Sequence, residues 1–389
     1  MKVVVALPSP ATEMAQEEIP KQIAFLSKNI TDITFEANGA QLVFHAPESE
    51  VESLREQALK VASKMQRSLR GLARKLVFRS KTADSPVFLG EGLAPGIHIM
   101  DRGQVALEGL PLRLYRYFDR TLEALGTPFS PEPLLTPTLI PSATLVKCDY
   151  FRSFPHVVSF VGHLPEDAAL VEAFRARHEN ANELDPKALT EMAPPEACLS
   201  PAVCYHAYSL NRNRDLPAQG LRYSVVGRCF RYESGKMTDL RRLWEFTMRE
   251  IVFLGMRENV LALREQALKL VSQYLEVHSM AGEIRTASDP FFIVPDAGAK
   301  TYFQISSETK YEISLMLPDH ERLAAGSLNY HTDFFGRAFA CNVGGLPMES
   351  VCIAFGLERW VYAFMAQHGH NPKNYPEAVR SAPELAGCV

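Results

Sequence analysis

No run of about 18 apolar residues occurs in this 389-residue chain, so the sequence predicts no membrane span. It has no Gly-x-Gly-x-x-Gly and no P-loop, which removes the commonest nucleotide folds, and no internal repeat. An excess of base is also missing. There are 41 Lys and Arg against 45 Asp and Glu, a formal net charge of −4, so no global basic field advertises nucleic acid. The opening MKVVVALPSP has too short an apolar run, cut by proline, to serve as an export signal. The cysteines, 148, 198, 204, 229, 341, 352 and 388, are odd in number and scattered. That pattern predicts a reducing cytoplasm, where a thiol is either a small buried apolar group or a metal ligand. What remains is 47% hydrophobic and 22% charged, the make-up of a globular chain long enough for two or three domains.

Residues 1–85 read as a small N-terminal α/β module. Val3–Leu7 is a predicted strand and Thr12–Lys28 a predicted helix. Ile33–Phe35 and Gln41–Phe44 flank the turn signal Ala37-Asn38-Gly39, which predicts a hairpin. From Glu48 to about Leu76 a long helix is expected, opening with acids and closing with bases. Lys60, Lys64, Arg67, Arg70, Arg74, Lys75, Arg79 and Lys81 follow with no acid between Glu56 and Asp84. They form either a solvated face or a docking surface for an acidic or phosphate-rich partner. Residues 86–108 read as a connector and 109–389 as the catalytic domain, with a helical insertion at about 167–201. Helices are predicted at Leu110–Leu125 and Glu258–Met280, with a proline-rich extended stretch at Pro128–Pro141. Strand-like runs at Tyr223–Val226, Phe291–Val294, Tyr302–Ile305 and Tyr311–Leu315 do not alternate regularly with helices. The expected class is therefore α+β, an antiparallel sheet flanked by helices.

Chemistry concentrates in residues 227–255, GRCFRYESGKMTDLRRLWEFTMREIVFLG. An apolar strand carries Arg231 and Glu233. A loop of Gly235, Lys236, Asp239, Arg241 and Arg242 follows, and a second strand-like run returns through Phe246 to Phe253. A strand-borne arginine can clamp a phosphate bidentately, as lysine cannot. Phe246 can face an adenine ring, and Glu233 can accept from its amino group. Near the C-terminus, CIAFGLERWVYAFMAQHG (352–369) runs from a small-residue strand into a helix, with Arg359 at the junction.

These segments resemble motifs 2 and 3 of class II aminoacyl-tRNA synthetases. The resemblance covers roughly residues 105–370. It implies that Arg231 binds the ATP α-phosphate, Arg359 the γ-phosphate, and Phe246 the adenine, with Glu233, Arg241 and Arg242 also on ATP. Arg231 and Arg359 are the expected catalytic residues. Motif 1, which implies a homodimer, maps loosely to Leu110–Pro141. TKYEISLMLP (309–318) and SLNYHTDFFG (327–336) narrow the resemblance to seryl-tRNA synthetases. The cysteines narrow it to zinc-dependent atypical seryl enzymes and their amino acid:[carrier protein] ligase relatives, where zinc is held by Cys, Glu and Cys. The matching residues are Cys204, Glu250 and Cys352, spaced 46 and 102 residues apart. Two thiolates and a carboxylate leave zinc a fourth position, open to a substrate amino group. Cys148, Cys198, Cys229, Cys341 and Cys388 are read as structural, and His331 as a satisfied buried histidine with Asp333 nearby. Lys310, Glu312 and Asn329 are candidate substrate residues, and Glu308 and Glu321 further candidates for Mg²⁺ or substrate. Seryl enzymes carry an acid nearer the asparagine, whereas this chain reads ERLAAGSLN (321–329), which leaves the Mg²⁺ ligands unassigned.

The resemblance implies ATP-dependent activation of a small amino acid (glycine, alanine or serine-like). Three readings of the next step stand side by side. The first is transfer to the phosphopantetheine thiol of a carrier protein, which the acidic net charge, the lack of a visible coiled-coil arm and the HTDFFG stretch favour. The second is charging of tRNA, for which the basic helix offers a surface. The third is a non-catalytic regulator on the same fold, disfavoured because the motif arginines and all three zinc candidates are present.

Overall fold

The computed structural model describes the chain except for residues 91–92, 234–236, 289–296, 319–320 and 388–389. Gly235, Lys236, the Phe291–Val294 run and Cys388 therefore lie outside the described residues. The N-terminal elements are β1 (Lys2–Ala6), α1 (Glu13–Ile23), β2 (Thr31–Glu36), β3 (Gln41–His45) and α2 (Val51–Ser68). β2 and β3 form the expected antiparallel hairpin, β1 pairs on the other side of β3, and both helices pack on this sheet. Thr12 caps α1 by accepting from the Ala15 amide. The turn works because Ala37, Asn38 and Gly39 all take positive φ, which Asn and Gly tolerate best.

α2 is shorter than the sequence suggests. It stops at Ser68, the chain turns through Gly71 at φ 77°, and the end of the basic run becomes β4 (Leu76–Arg79). β4 leaves the small sheet and pairs with β14 of the large one, so the segment 1–85 is stitched into the large sheet's edge. β5 (Ile97–Asp101) and β6 (Gln104–Leu107) make a hairpin, followed by α3 (Gly109–Leu125), β7 (Glu132–Leu134) and β8 (Leu139–Pro141).

Next come α4 (Ser142–Lys147), α5 (Tyr150–Ser153), β9 (Phe160–Val161), α6 (Ala168–His178), α7 (Ala188–Glu191), β10 (Ala197–Leu199), α8 (Cys204–Leu210) and β11 (Asp215–Leu216). The remaining elements are β12 (Leu221–Phe230), β13 (Glu245–Gly255), α9 (Arg257–Val277), β14 (Gly282–Thr286), α10 (Ala297–Ser306), β15 (Lys310–Met316), β16 (Arg322–Tyr330), α11 (Phe334–Phe339), β17 (Asn342–Val343), β18 (Leu346–Pro347), β19 (Glu349–Gly356), α12 (Leu357–His368) and α13 (Glu377–Arg380).

The large sheet has eight strands in the order β4-β14-β15-β16-β19-β13-β12-β7, antiparallel throughout except where β7 runs parallel to β12. One face is apolar. Ile251, Phe253, Ile353 and Phe355 project into a core shared with α3, α9 and α12, whose centre is the fully buried Trp360. Period-two alternation sends the intervening residues to the other face, where the site lies.

One strand prediction fails. Tyr302–Ile305 lies inside helix α10, not in a strand. Four residues carry no decisive period, and here Ile305 turns into the N-terminal core while Phe303 and Gln304 turn towards the large cavity, a helical division of faces. Among the described residues no helix is long and apolar enough to cross a membrane.

Candidate active site

The polar face of the sheet carries two adjoining compartments. On β19 the inward residues are Cys352, Ala354 and Gly356, and on β13 they are Glu250, Met248 and Phe246. The register sets Ala354 opposite Glu250 and Gly356 opposite Met248. β16 adds Asn329 opposite Cys352 and Ser327 opposite Ala354, and β15 adds Lys310 opposite Asn329 and Glu312 opposite Ser327. The sequence candidates from four strands thus fall into ordered rows. Cys352, Glu250, Asn329 and Lys310 lie towards one end, and Gly356, Phe246 and Glu312 towards the other.

The first compartment is a cavity of about 670 Å³ lined by Cys204, Glu250, Cys352, Asn329, His331 and Lys310 among others. Cys204 comes from the first turn of α8, which sets its thiol over the sheet. The donor atoms of Cys204, Glu250 and Cys352 lie within 4.8 Å of one another, and all three residues are buried. A tetrahedral zinc with donors at about 2.0–2.3 Å needs them ~3.3–3.8 Å apart, which lies inside that limit. Oε2 of Glu250 is buried and has no hydrogen-bond partner. A buried carboxylate oxygen aimed at two thiols is satisfied by a cation or a proton, so the donor set fits zinc.

The three acids shift one another's affinity for protons. The contact with Cys352, then burial, raises Cys204, while the same contact, with His331 and Asn329 beside it, lowers Cys352. Burial, then Cys352, pushes Glu250 up to about 8. Asn329 Nδ2 approaches Cys352 Sγ at 3.7 Å and donates to Ser327 Oγ at 2.9 Å. His331, half-buried on the cavity wall and not buried as the sequence suggests, places Nδ1 3.1 Å from Ser350 Oγ and 3.3 Å from the Tyr208 hydroxyl, and its contact with Cys352 helps lower that thiol.

The second compartment, about 120 Å³, is lined by Arg231, Glu233, Phe246, Glu312, Glu358 and Arg359. Its floor is Ala324, Ala325, Gly326, Ala354 and Gly356. A Cβ on Gly326 would meet the core side chain of Ile313 at 2.9 Å, so that glycine serves the sheet's packing, whereas one on Gly356 would meet nothing closer than 3.9 Å. Arg231 is the first residue past β12, not within it, though its amide still donates to Trp244 O at 2.9 Å. Its Nε donates to Pro201 O at 2.9 Å and its guanidinium lies 5.4 Å from the Phe246 ring. Arg231, Met248, Lys310, Ser327 and Ala354 border both compartments. Arg359, in the first turn of α12, donates from Nε to Arg241 O at 2.9 Å and from an Nη to Ala324 O at 2.8 Å. Beneath it Glu358 is 3% exposed and accepts from the Thr247 amide and hydroxyl.

Not every candidate meets the cleft. Arg242 pairs with Glu233 at 2.9 Å, and Arg241 is held by Asp239 and Glu321 at 2.7 and 2.8 Å, so neither side chain lines the second compartment. Glu308 binds Lys75 and Tyr311 away from both compartments, and Asp333 pairs with Arg337. Cys148 does line the large cavity, but burial pushes its thiol up to about 12, which keeps it protonated. The sequence reading missed the cavity's outer wall: Asp149, Tyr150 and Arg152 around α5, and Lys300, Phe303 and Gln304 on α10. No motif marks them. The one legible signal was their density of aromatic and basic residues.

The pairing of a motif-2 strand pair, β12 and β13, with a motif-3 strand–helix, β19 and α12, on one largely antiparallel sheet defines a class II aminoacyl-tRNA synthetase-like protein. No protein-family model matches the chain. It is 31% identical over 252 residues to amino acid–[acyl-carrier-protein] ligase 1 of Bradyrhizobium diazoefficiens, covering 64% of this chain and 75% of that one. The chain belongs to the amino acid–[acyl-carrier-protein] ligase family. It is also 26% identical over 276 residues to the type-2 serine–tRNA ligase of Methanopyrus kandleri, covering 67% of this chain and 52% of that one. Among solved structures, M. kandleri SerRS in complex with A. aeolicus tRNASec shares the fold at TM-score 0.70 and 20% identity, covering 99% of this chain and 77% of that one. Cytoplasmic serine–tRNA ligase from Naegleria fowleri with AMP does so at TM-score 0.57 and 12% identity, covering 87% and 72%.

Proposed function

We propose that this protein activates a small amino acid with ATP and passes the aminoacyl group to the phosphopantetheine thiol of a carrier protein. The observation that carries the reading is the junction at Arg231. A Cys–Glu–Cys cluster lies on one side of it, and a small-floored slot with Phe246 and Arg359 on the other. A carboxylate oxygen of the amino acid attacks the α-phosphorus of ATP, which enters as its magnesium complex, and pyrophosphate leaves. The acceptor sulfur then attacks the carbonyl carbon and AMP leaves.

Arg231, anchored through Nε to Pro201 O and with one Nη on the weak acceptor Met248 Sδ at 3.6 Å, turns its terminal N–H groups to the α-phosphate, where charge develops. Phe246 faces the adenine and Arg359 the outer phosphate. Cys204, Glu250 and Cys352 would hold a single zinc, which supplies a Lewis-acidic seat for the substrate's amino group. Asn329 and His331 orient Cys352 from the next strand and loop. A small amino acid is favoured because the charged groups of the outer wall are mutually engaged: Asp149 pairs with Arg152 at 2.8 Å and lies 3.7 Å from Lys300. We further propose a homodimer through the 110–141 region, where Leu135 is 91% exposed beside the edge strand β7.

One observation favours a second reading, a zinc-dependent seryl-tRNA synthetase. The tRNA-bound M. kandleri structure covers 99% of the chain, N-terminal module included. The test follows ATP–pyrophosphate exchange with each small amino acid, then offers total tRNA and phosphopantetheinylated acyl carrier protein as acceptors. Label on the carrier alone supports the proposal. Label on tRNA alone replaces it with the second reading, and no exchange with any amino acid removes both.

A further inference from the structure

The basic run divides in two once folded. Three of its later members are occupied: Arg74 pairs with Glu17 and Glu18, Lys75 with Glu308, and Arg79 with Asp84 and Glu283. The earlier ones face solvent. Lys60, Lys64 and Arg67 stand at i, i+4 and i+7 on α2, turned away from its buried stripe of Leu54, Ala58, Ala62 and Met65. Arg70 continues the row just past the helix end, and all four side chains are exposed. Lys60, Arg67 and Arg70 form no ion pair among the described residues. In a chain of net charge −4, this is a local positive stripe set against an acidic background.

The stripe lies one helix away from the large cavity. α2 packs on α10 so closely that a Cβ at Gly298 would stand 2.6 Å from Ser68 Oγ, and Ile305 of α10 belongs to the same buried cluster as Met65 and Leu69. The opposite side of α10 presents Lys300, Phe303 and Gln304 to the cavity. A second contact joins the module to the facing wall: the Phe25 ring meets His156 edge-on at 4.7 Å, just past the 149–154 segment that lines the cavity. The module therefore braces both walls behind which the activated amino acid would sit, while its stripe faces outward.

We propose that Lys60, Lys64, Arg67 and Arg70 form the docking surface for the acceptor, a carrier protein with an acidic face. The inference rests on the carrier-protein reading above and adds where that partner sits. A protein partner is favoured over RNA because the stripe is short and the overall field is acidic, whereas RNA binding draws on many dispersed phosphate contacts. Opposed charges at such a rim act chiefly on encounter rate and screen away with salt.

The test is the quadruple variant K60E/K64E/R67E/R70E, assayed in the full chain with phosphopantetheinylated acyl carrier protein and with total tRNA. ATP–pyrophosphate exchange, which needs no acceptor, reports whether the site is intact. The expected result is unchanged exchange, an unchanged kcat, and a KM for the carrier raised about tenfold or more at low salt. The wild-type KM should climb towards the variant's as salt is added. Unchanged carrier KM with wild-type exchange overturns the proposal. If the wild type charges tRNA and not the carrier, the functional reading itself has failed, and a variant defective on tRNA gives the stripe to RNA. If charge reversal also damages exchange, the Gln quadruple variant decides on the same readouts.

Discussion

Replacing Arg231 with lysine keeps the charge and most of the length, yet it should nearly abolish adenylate formation. Nε of Arg231 is committed to Pro201 O at 2.9 Å, and the guanidinium lies 5.4 Å from the Phe246 ring. That anchor fixes the plane of the group; one terminal nitrogen also donates to Met248 Sδ at 3.6 Å, a weak contact that a phosphate oxygen can replace. Lysine has a single nitrogen, so it can satisfy the Pro201 carbonyl or the phosphate, but not both with the same geometry. Losing a bidentate, charge-assisted contact at about 1.5–3 kcal/mol per bond, with partial compensation from the ammonium, leaves a deficit of ~3–4 kcal/mol. This corresponds to a fall of roughly 10²–10³-fold in ATP–pyrophosphate exchange. Folding should suffer little, since the Pro201 bond is a single contact worth about 1 kcal/mol. Exchange assays on Arg231→Lys, with urea melts alongside, read the two effects separately. Exchange within about threefold of wild type would show that Arg231 does not meet the transferring phosphorus, and the assignment of the junction would fall with it.

Cys352→Ser should lower zinc affinity by at least about 100-fold, read as metal retained after dialysis against a chelator; full retention refutes the Cys–Glu–Cys assignment. Glu358→Ala strands the buried Thr247 amide, which now donates to the carboxylate at 2.9 Å, and should cost ~2–4 kcal/mol in urea unfolding, with Glu358→Gln costing clearly less. His278 is 4% exposed and burial pulls its pKa down from 6.5 to about 4, so the unfolded chain binds this proton more tightly than the folded one. Stability from this group is present above pH 6.5 and declines as pH falls towards 4, by up to about 1.4 kcal/mol per pH unit; a His278→Gln variant should show a flatter acid limb in thermal melts.

The sheet face was readable because the resemblance to motifs 2 and 3 marked Glu250, Cys352, Phe246 and Arg359 in continuous stretches of sequence. The register of β13 and β19 gives the physical reason why the strand-borne ones share one face, since alternate residues of a strand point the same way. The outer wall was not readable in that way. Asp149–Phe154 and Lys300–Gln304 are about 150 residues apart in sequence, and Lys300 reaches Ser153 Oγ at 2.9 Å only through the tertiary fold. α10 adds a second difficulty, since its Tyr302–Ile305 stretch has strand-like composition but acquires a helical division of faces from two different neighbours. Arg241 and Arg242 were legible as residues of the loop but not as ion-pair partners, because the acids that hold them, Asp239, Glu321 and Glu233, are assigned by geometry alone.

These two kinds of residue divide the labour of the molecule. On the proposed reading, activation draws on the sheet face and the helix starts over it, because Arg231, Ser327 and Ala354 border both compartments. If ATP sits towards Arg359 as proposed, pyrophosphate leaves on the Arg359 side and an acceptor nucleophile approaches the carbonyl from the amino-acid side, past α10 and the 149–154 wall. On that reading the choice of acceptor falls to residues that take no part in adenylate formation, which would let one sheet serve relatives named for carrier proteins and relatives named for tRNA. It also places the N-terminal module, which braces both walls, where a change of partner can be made without altering the chemistry.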